Sequence, residues 1–99
     1  MTTPSIAHQP NPKGASGRTF DLMVGGKRRG YLSYSLPDDG TMEVDFVQVD
    51  DALRGKGLGE QLIAAAADWA RANGRQIVPL CSYARAVMTR TAKYRDVLA

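Results

Sequence analysis

The chain has 99 residues and a mass of 10.7 kDa, which is enough for one domain and too little for a second hydrophobic core. Hydrophobic residues make up 43% of the sequence and charged residues 23%, as is typical of soluble globular proteins. No apolar run approaches the ~20 residues that a membrane-spanning helix needs. These values exclude a multidomain mechanism and a transmembrane helix.

Single cysteine and histidine residues restrict the possible chemistry. Cys81 is the only cysteine, so no intramolecular disulfide can form and no metal site can be built from cysteines. His8 is the only histidine and lies near the N-terminus, so histidine-dependent catalytic triads and zinc chemistry are excluded. Residues 1–17 have neither a basic start nor an apolar centre. We therefore expect no signal peptide, and a cytoplasmic protein.

Charge is unevenly distributed along the chain, although the formal net charge is only +3. Residues 1–36 carry a net charge of +4, residues 37–51 of −6, residues 52–70 of zero and residues 71–99 of +5. The basic ends favour an anionic cofactor and the acidic segment a cationic substrate. Ordinary solvated loops and helix faces explain any single charge equally well.

The first part of the chain predicts a tail followed by a hairpin. Residues 1–17 contain three prolines and no apolar period, which predicts a flexible tail, including His8. A single domain is then expected over residues 18–99. Alternating apolar residues predict strands over 18–24 and 31–36, with a Gly-Gly pair as the hairpin signal between them.

A third strand follows the turn signal Pro-Asp-Asp-Gly and covers Thr41–Val49. Strict alternation divides its side chains between two faces. One face would carry Met42, Val44 and Phe46, and the other Glu43, Asp45, Val47 and Val49. The three strands together predict an antiparallel meander.

Helical spacing of leucine, alanine and tryptophan predicts a long helix over residues 57–73. Residues 75–81 are short, β-branched and apolar, as a buried strand should be, although Pro79 indicates a bulge, a bend or an edge. Ser82 is a candidate N-cap for a short final helix. The order predicts an α/β (α+β) fold: a three-stranded meander, a long helix, a further strand ending at Cys81, and a short C-terminal helix.

The most informative segment is Arg54-Gly55-Lys56-Gly57-Leu58-Gly59, a glycine-rich turn between a strand and the long helix. Glycines let the backbone approach an anion closely, and the unpaired amides and dipole of a helix start favour phosphate. The spacing matches neither the nucleoside-triphosphate loop nor the dinucleotide motif Gly-x-Gly-x-x-Gly. A pyrophosphate is the expected ligand, with an exposed basic turn as the alternative.

In its context, Arg54-x-x-Gly57-x-Gly59 after a strand resembles the acetyl-CoA signature Arg/Gln-x-x-Gly-x-Gly/Ala of the GNAT N-acetyltransferase superfamily. The resemblance extends from Arg18 to the C-terminus, and the chain length is similar to that of minimal, YjdJ-type GNAT-like proteins. Two helices that usually build the acceptor site have no room here. Small relatives often carry His-Thr where this chain has Phe46-Val47, and His-Pro-x-Tyr where it has Thr91-Ala-Lys-Tyr94.

The resemblance implies acetyl-CoA (coenzyme A) as the cofactor. It places the backbone of Val47 and Val49 beside the pantetheine arm. It also assigns the pyrophosphate to the turn that consists of Arg54, Gly55, Lys56, Gly57, Leu58 and Gly59. The side chains of Arg54 and Lys56 would add charge-assisted contacts.

Three residues are catalytic candidates on the same resemblance. Glu43 stands where family members often place a general base, and burial would raise its pKa towards neutrality; a solvent-facing glutamate is the alternative, and Asp45 is the substitute. Cys81 is a candidate acetyl acceptor or a buried small hydrophobe. Tyr83 would protonate the departing thiolate or form an edge of the core.

The leading hypothesis is an acetyl-CoA-dependent N-acetyltransferase that acts on a primary amine, with acetyl-Cys81 as a possible intermediate. A CoA-binding module without turnover is the alternative, because the acceptor-site helices are missing. A nucleic-acid binder rests only on the basic C-terminal third, which lacks a stacking pattern of aromatic residues. The expected partner is a small-molecule or protein amine, with no membrane or nucleic acid, and the chain is a monomer or homodimer.

Overall fold

A computed structural model describes residues 3–10 and 18–99 of the chain. Its longer elements follow one another in the order β1 Ser5–Gln9, β2 Arg18–Val24, β3 Lys27–Ser35, β4 Thr41–Val49, α1 Leu58–Ala72, β5 Gln76–Pro79 and α2 Ser82–Arg90. Short 3-10 turns lie at Asp51–Leu53 and Ala92–Tyr94. No helix among these residues is long and apolar enough to cross a membrane.

The strands form one mixed sheet in the order β1-β2-β3-β4-β5. Strands β1 to β4 pair antiparallel, and β5 pairs parallel with β4. The predicted meander and the α/β class are therefore confirmed. Beyond β5, the C-terminal residues close the edge of the sheet, since the amide of Ala99 donates to the carbonyl of Ile77.

The prediction of a flexible tail is wrong for Ser5–Gln9, which form β1 along β2. His8 explains why this polar segment pairs: its ring stacks on Phe20, with centroids 4.1 Å apart, and hydrogen-bonds the hydroxyl of Tyr34. The ring also meets Trp69 of α1 edge-on. This aromatic cluster, together with Ile6, which packs against the core, holds a segment that has no apolar period. Residues 1–2 and 11–17 of the predicted tail lie outside the described residues.

A β-bulge at Asp45 overturns the predicted faces of β4. Val44 pairs with Tyr34, and the next pair is Phe46 with Ser33, so that Asp45 is the extra residue. An extra residue shifts the alternation by one place. Phe46 is consequently 62% exposed instead of buried beside Val44, and Val47 and Val49 pack against the core.

Both helices cover the same face of the sheet. Buried strand residues and buried helix residues form a single core, whose members include Leu22, Leu32, Met42, Ile63, Ile77 and Met88. Ser82 does not cap α2 as predicted, because Cys81 occupies the N-cap position and Ser82 is the first helical residue. The opposite face of the sheet carries mainly half-exposed polar side chains from β2, β3 and β4, and no described helix covers it.

Candidate active site

An open groove of about 540 Å³ lies between the end of β4 and the start of α1. Strand β5 pairs with β4 only as far as Val44, whereas β3 accompanies β4 to Val49. The last residues of β4 therefore present a strand edge without a β-strand partner among the described residues. The groove is lined by Val47, Gln48, Val49, Leu53, Arg54, Gly55, Gly57, Leu58, Gly59, Glu60 and Tyr83.

The glycine-rich turn forms one wall of this groove. Gly55 and Gly57 have φ angles of 80° and 74°, which side chains rarely adopt, so glycine is required at both positions. Gly57 is the N-cap of α1, and the first helical hydrogen bond runs from the Gln61 amide to its carbonyl. The amides of residues 58–60 have no acceptor within the described chain. They can bind an anion at the positive end of the helix dipole.

Tyr83 closes the groove from the side of α2 and packs against Gly59. A Cβ atom placed on Gly59 would lie 2.8 Å from the Tyr83 hydroxyl oxygen and 3.0 Å from its ring. Burial raises the pKa of the Tyr83 phenol, the Glu60 carboxylate raises it further, and the Arg90 guanidinium opposes them. The phenol thus keeps its proton at neutral pH and can donate it.

Arg54 and Lys56 differ in their relation to the groove. Arg54 lines it and forms an exposed ion pair with Asp51 at 3.1 Å. Such an exposed pair contributes little to stability, so the guanidinium can exchange Asp51 for an anionic ligand at small cost. Lys56 is exposed in the same turn but does not line the groove.

The two carboxylates predicted as candidate bases lie away from the groove, on the face of the sheet that the helices leave open. Glu43 pairs with Ser35 on one side and Val78 on the other, about 20 Å along the strand from Val49. Asp45 occupies the bulge and accepts a hydrogen bond of 3.0 Å from the Ser35 hydroxyl. Both side chains therefore lie beside Ser35, and Asp45 is the closer of the two to Val47.

Cys81 lies where β5 passes into α2. It is the N-cap residue of α2, it is half-buried, and its amide donates to the Val44 carbonyl at 3.2 Å. Its side chain does not line the groove. An ionised Cys81 raises the pKa of Tyr83, so the two groups are electrostatic neighbours.

Several residues of this region were not predicted from the sequence. Gln48, Leu53 and Glu60 line the groove, and a second cavity of about 440 Å³ adjoins it across Arg54. That cavity lies among arginine–aspartate pairs, of which Arg29 with Asp50 is one. The run Lys-Arg-Arg at the start of β3 was the available sequence signal, but its position beside the glycine turn depends on the β3–β4 register.

Comparison with known proteins identifies the family. A model of the GCN5-related N-acetyltransferases matches residues 19–97. No curated protein matches the chain.

Solved structures with the same fold include an NMR structure of a protein from Staphylococcus aureus assigned as a GCN5-like N-acetyltransferase. It has 25% identity and a TM-score of 0.72, over 96% of this chain and 87% of that one. A Klebsiella pneumoniae protein assigned as an acyl-CoA N-acyltransferase has 26% identity and a TM-score of 0.63, over 75% and 55% of the two chains. A Bacillus anthracis protein assigned as a streptothricin acetyltransferase, solved with acetyl coenzyme A, has 18% identity and a TM-score of 0.60, over 74% and 44%.

The chain thus spans about half the length of the second and third of these proteins. The family model extends from β2 almost to the C-terminus. The groove and its glycine turn lie within the matched residues. The chain belongs to the GCN5-related N-acetyltransferase family, a family of acetyl-CoA-dependent enzymes.

Proposed function

We propose that this chain transfers an acetyl group from acetyl-CoA to a primary amine, and that the groove beside β4 is its cofactor site. The observation that carries the proposal is the junction of an unpaired strand edge with a glycine turn at a helix start. An amide-rich pantetheine arm can pair with such an edge as a neighbouring strand would. A pyrophosphate can accept hydrogen bonds from the free amides of the helix start.

The residues in the groove fit this cofactor. Leu53 and Leu58 supply apolar surface for the pantetheine arm, and Arg54 supplies a cation for the pyrophosphate. When bound, acetyl-CoA supplies a thioester, whose acetyl group forms an amide with the amine nitrogen as the carbon–sulfur bond breaks. The ammonium nitrogen loses two protons on the way to the amide, and the sulfur gains one.

We assign the removal of the first ammonium proton to a carboxylate on the face of the sheet opposite the helices. We assign the protonation of the sulfur to Tyr83. Glu43 accepts the proton of the ammonium group, with Asp45 as the alternative because it lies closer to the groove. Tyr83 lines the groove and its raised pKa keeps it protonated, so it can donate to the departing thiolate. The proton count balances, since the carboxylate keeps the first proton of the ammonium group, Tyr83 gives its proton to the sulfur, and the second ammonium proton restores the phenol.

A covalent route through Cys81 remains the second form of this proposal. Its thiolate would take the acetyl group in a thioester exchange, and the amine would then take it from Cys81. The N-cap position supports this role, because a helix N-terminus favours a thiolate. Proton transfer would involve the same carboxylate and Tyr83.

A CoA-binding module without turnover is the competing function. One observation favours it: among residues 3–10 and 18–99, no element covers the face on which an acceptor would be enclosed. Such a module would bind CoA through the same groove but would have no use for Glu43 or Cys81.

Native mass spectrometry with CoA and with acetyl-CoA, followed by denatured mass analysis, tests the proposal. Binding of both ligands is expected, together with a loss of at least tenfold in affinity for Arg54→Gln, since charge-assisted contacts contribute about 1.5–3 kcal/mol. Arg95→Gln is the control, because Arg95 is exposed and has no ion pair among the described residues. Failure of either ligand to bind would refute the assignment of the groove.

Turnover assays on three variants then separate the routes. Under direct transfer, Glu43→Gln or Asp45→Asn lowers kcat by about 10²–10⁴-fold, whereas Cys81→Ala has little effect. Under the covalent route, the denatured wild type carries an acetyl group on Cys81, and Cys81→Ala is inactive. If no amine is acetylated while CoA still binds, the non-catalytic module is the correct function.

A further inference from the structure

The side of the sheet opposite the helices is an open, mainly polar surface, on which two apolar side chains are more than half exposed. Along β3, Leu32 and Tyr34 are buried beneath α1, whereas Ser33 and Ser35, which alternate with them, point to the other side and are half-exposed. Glu43 lies opposite Ser35 on this side. We call it the open face.

The two apolar side chains are Phe46, which is 62% exposed, and Leu80, which is 51% exposed. The bulge at Asp45 turns Phe46 onto the open face. Leu80 follows the buried Pro79, so alternation along β5 directs it to the same side. Single exposed apolar side chains are common, whereas an apolar patch rimmed by polar residues marks an interaction site.

These side chains flank the point at which β4 and β5 separate. The last paired residues are Val44 and Pro79, and the Val44 carbonyl then accepts hydrogen bonds from the amides of both Leu80 and Cys81. Beyond this point Phe46 continues along β4, whereas Leu80 lies just past the end of β5. The groove begins at Val47, the residue of β4 that follows Phe46, on the helix side of the same separation.

Negative charge accompanies the apolar pair. Asp45 immediately precedes Phe46 and accepts a hydrogen bond from the Ser35 hydroxyl. Glu43 lies two residues before Asp45 and pairs with Ser35 across the sheet. Within the described ranges 3–10 and 18–99, neither carboxylate has a basic side chain within 4.0 Å. A cationic group placed here would meet two carboxylates that are not already paired.

We propose that the acceptor is a primary amine on an apolar body, such as an arylalkylamine; this inference rests on the acetyl transfer proposed above. Its ammonium group lies between Glu43 and Asp45, and its apolar part covers Phe46 and Leu80. The two contacts have separate roles: the carboxylates hold and deprotonate the amine, while the apolar pair selects the body that carries it. A hydrophilic amine would contact only the carboxylates.

A second copy of this chain suits the same surface less well. A two-fold contact places each patch against its own counterpart, so the carboxylates of Glu43 and Asp45 would face those of the partner. Like charges that meet in an interface are unfavourable. Two exposed apolar side chains also supply far less than the ~1,200 Å² of a stable interface.

The test compares phenethylamine with ethanolamine as acceptors, at saturating acetyl-CoA, by measuring CoA release. We expect kcat/KM to be at least roughly tenfold higher for phenethylamine, because burial of an aromatic ring contributes that much or more. Phe46→Ser and Leu80→Ser should each lower kcat/KM for phenethylamine about fivefold or more and leave ethanolamine nearly unchanged. Phe46→Leu, which keeps an apolar side chain, should retain most of the preference.

Equal kcat/KM values for the two amines would overturn this proposal and leave acetyl transfer intact. So would serine variants that impair both amines equally. A dimer in sedimentation that Phe46→Ser dissociates would assign the surface to a second copy instead.

A binding measurement separates this proposal from the failure of acetyl transfer itself. Phenethylamine is titrated into the CoA-bound protein while the amide shifts of Phe46 and Leu80 are followed by NMR. Shifts at both residues without turnover with any amine would support the acceptor site and reject the transferase function. No shift at either residue would overturn the site whatever the activity.

Discussion

The phenol of Tyr83 occupies the space that a side chain on Gly59 would need, since a Cβ there would lie 2.8 Å from the phenol oxygen. Gly59 lies in the first turn of α1 and its φ is not positive. Its backbone therefore does not require glycine, whereas those of Gly55 and Gly57 do. The third glycine of the motif gives Tyr83 room beside the cofactor groove.

Gly59→Ala should displace Tyr83 and so weaken activity while the fold persists. Alanine alone would favour the helix by about 1 kcal/mol, but the tyrosine ring must move away from the new methyl group. We expect kcat to fall and the free energy of unfolding to rise by less than the helix propensity predicts. Steady-state kinetics and urea unfolding measure the two effects.

The double variant Gly59→Ala/Tyr83→Ala isolates the contact. Without the phenol, Gly59→Ala should stabilise the protein by nearly the full ~1 kcal/mol. An equal effect of Gly59→Ala in both backgrounds would show that the glycine does not serve Tyr83.

Cofactor affinity should depend on Gly57 through its backbone. Gly57→Ala strains the turn because the residue has a φ of 74°, and we expect CoA binding to weaken with the distortion of the amides that follow. Gly40→Ala is the matched control, since Gly40 has a φ of 85° and similarly free space, in the β3–β4 turn. Calorimetric titration with CoA should show a loss of affinity for the first variant only.

Tyr83 should ionise only above the usual range of a tyrosine. Burial and the nearby Glu60 carboxylate raise its pKa, so the folded state favours the protonated phenol past pH ~10. The ultraviolet difference titration of wild type against Tyr83→Phe isolates this one group. Ionisation below pH 10 would contradict the environment described here and weaken its role as an acid.

Much of the fold follows from the sequence because local signals agree with one another. Helical spacing of apolar residues predicts α1, and the Gly-Gly pair predicts the β2–β3 hairpin. The glycine turn is recognisable because Gly55 and Gly57 have backbone angles that other residues avoid. Each of these features depends on neighbouring residues alone.

The missed features depend on contacts between distant residues. The bulge at Asp45 is a property of the β3–β4 register. A prediction that omits the bulge places Phe46 and Val47 on the wrong faces of the sheet. Strand β1 is held by the contact of His8 with Phe20, Tyr34 and Trp69, which lie on three different elements. No local pattern in the sequence reports either feature.

Stability should decrease as the pH falls through the titration of His8. Burial beside Phe20, Tyr34 and Trp69 lowers the pKa of its ring. The unfolded chain therefore takes up the proton first, below pH ~6.5. The contribution of neutral His8 is complete above that pH and is lost as the pH falls towards the folded-state pKa.

Urea unfolding at pH 7.5 and pH 5.5 tests this for wild type and His8→Gln. The wild type should lose more stability between the two pH values than the variant does, because the carboxylates that titrate are common to both. An equal loss in both proteins would mean that His8 is not buried against the aromatic cluster.

Two tyrosines should respond in opposite ways to the loss of a hydroxyl. The Tyr94 hydroxyl is buried without a hydrogen-bond partner in the described chain, whereas that of Tyr34 bonds His8. A buried hydroxyl without a partner costs about 1–3 kcal/mol, so Tyr94→Phe should be neutral or stabilising. Tyr34→Phe should instead cost about 1 kcal/mol. Urea unfolding of both variants decides between these signs, and a loss of more than ~1 kcal/mol in Tyr94→Phe would show that a water molecule or a ligand satisfies the hydroxyl in solution.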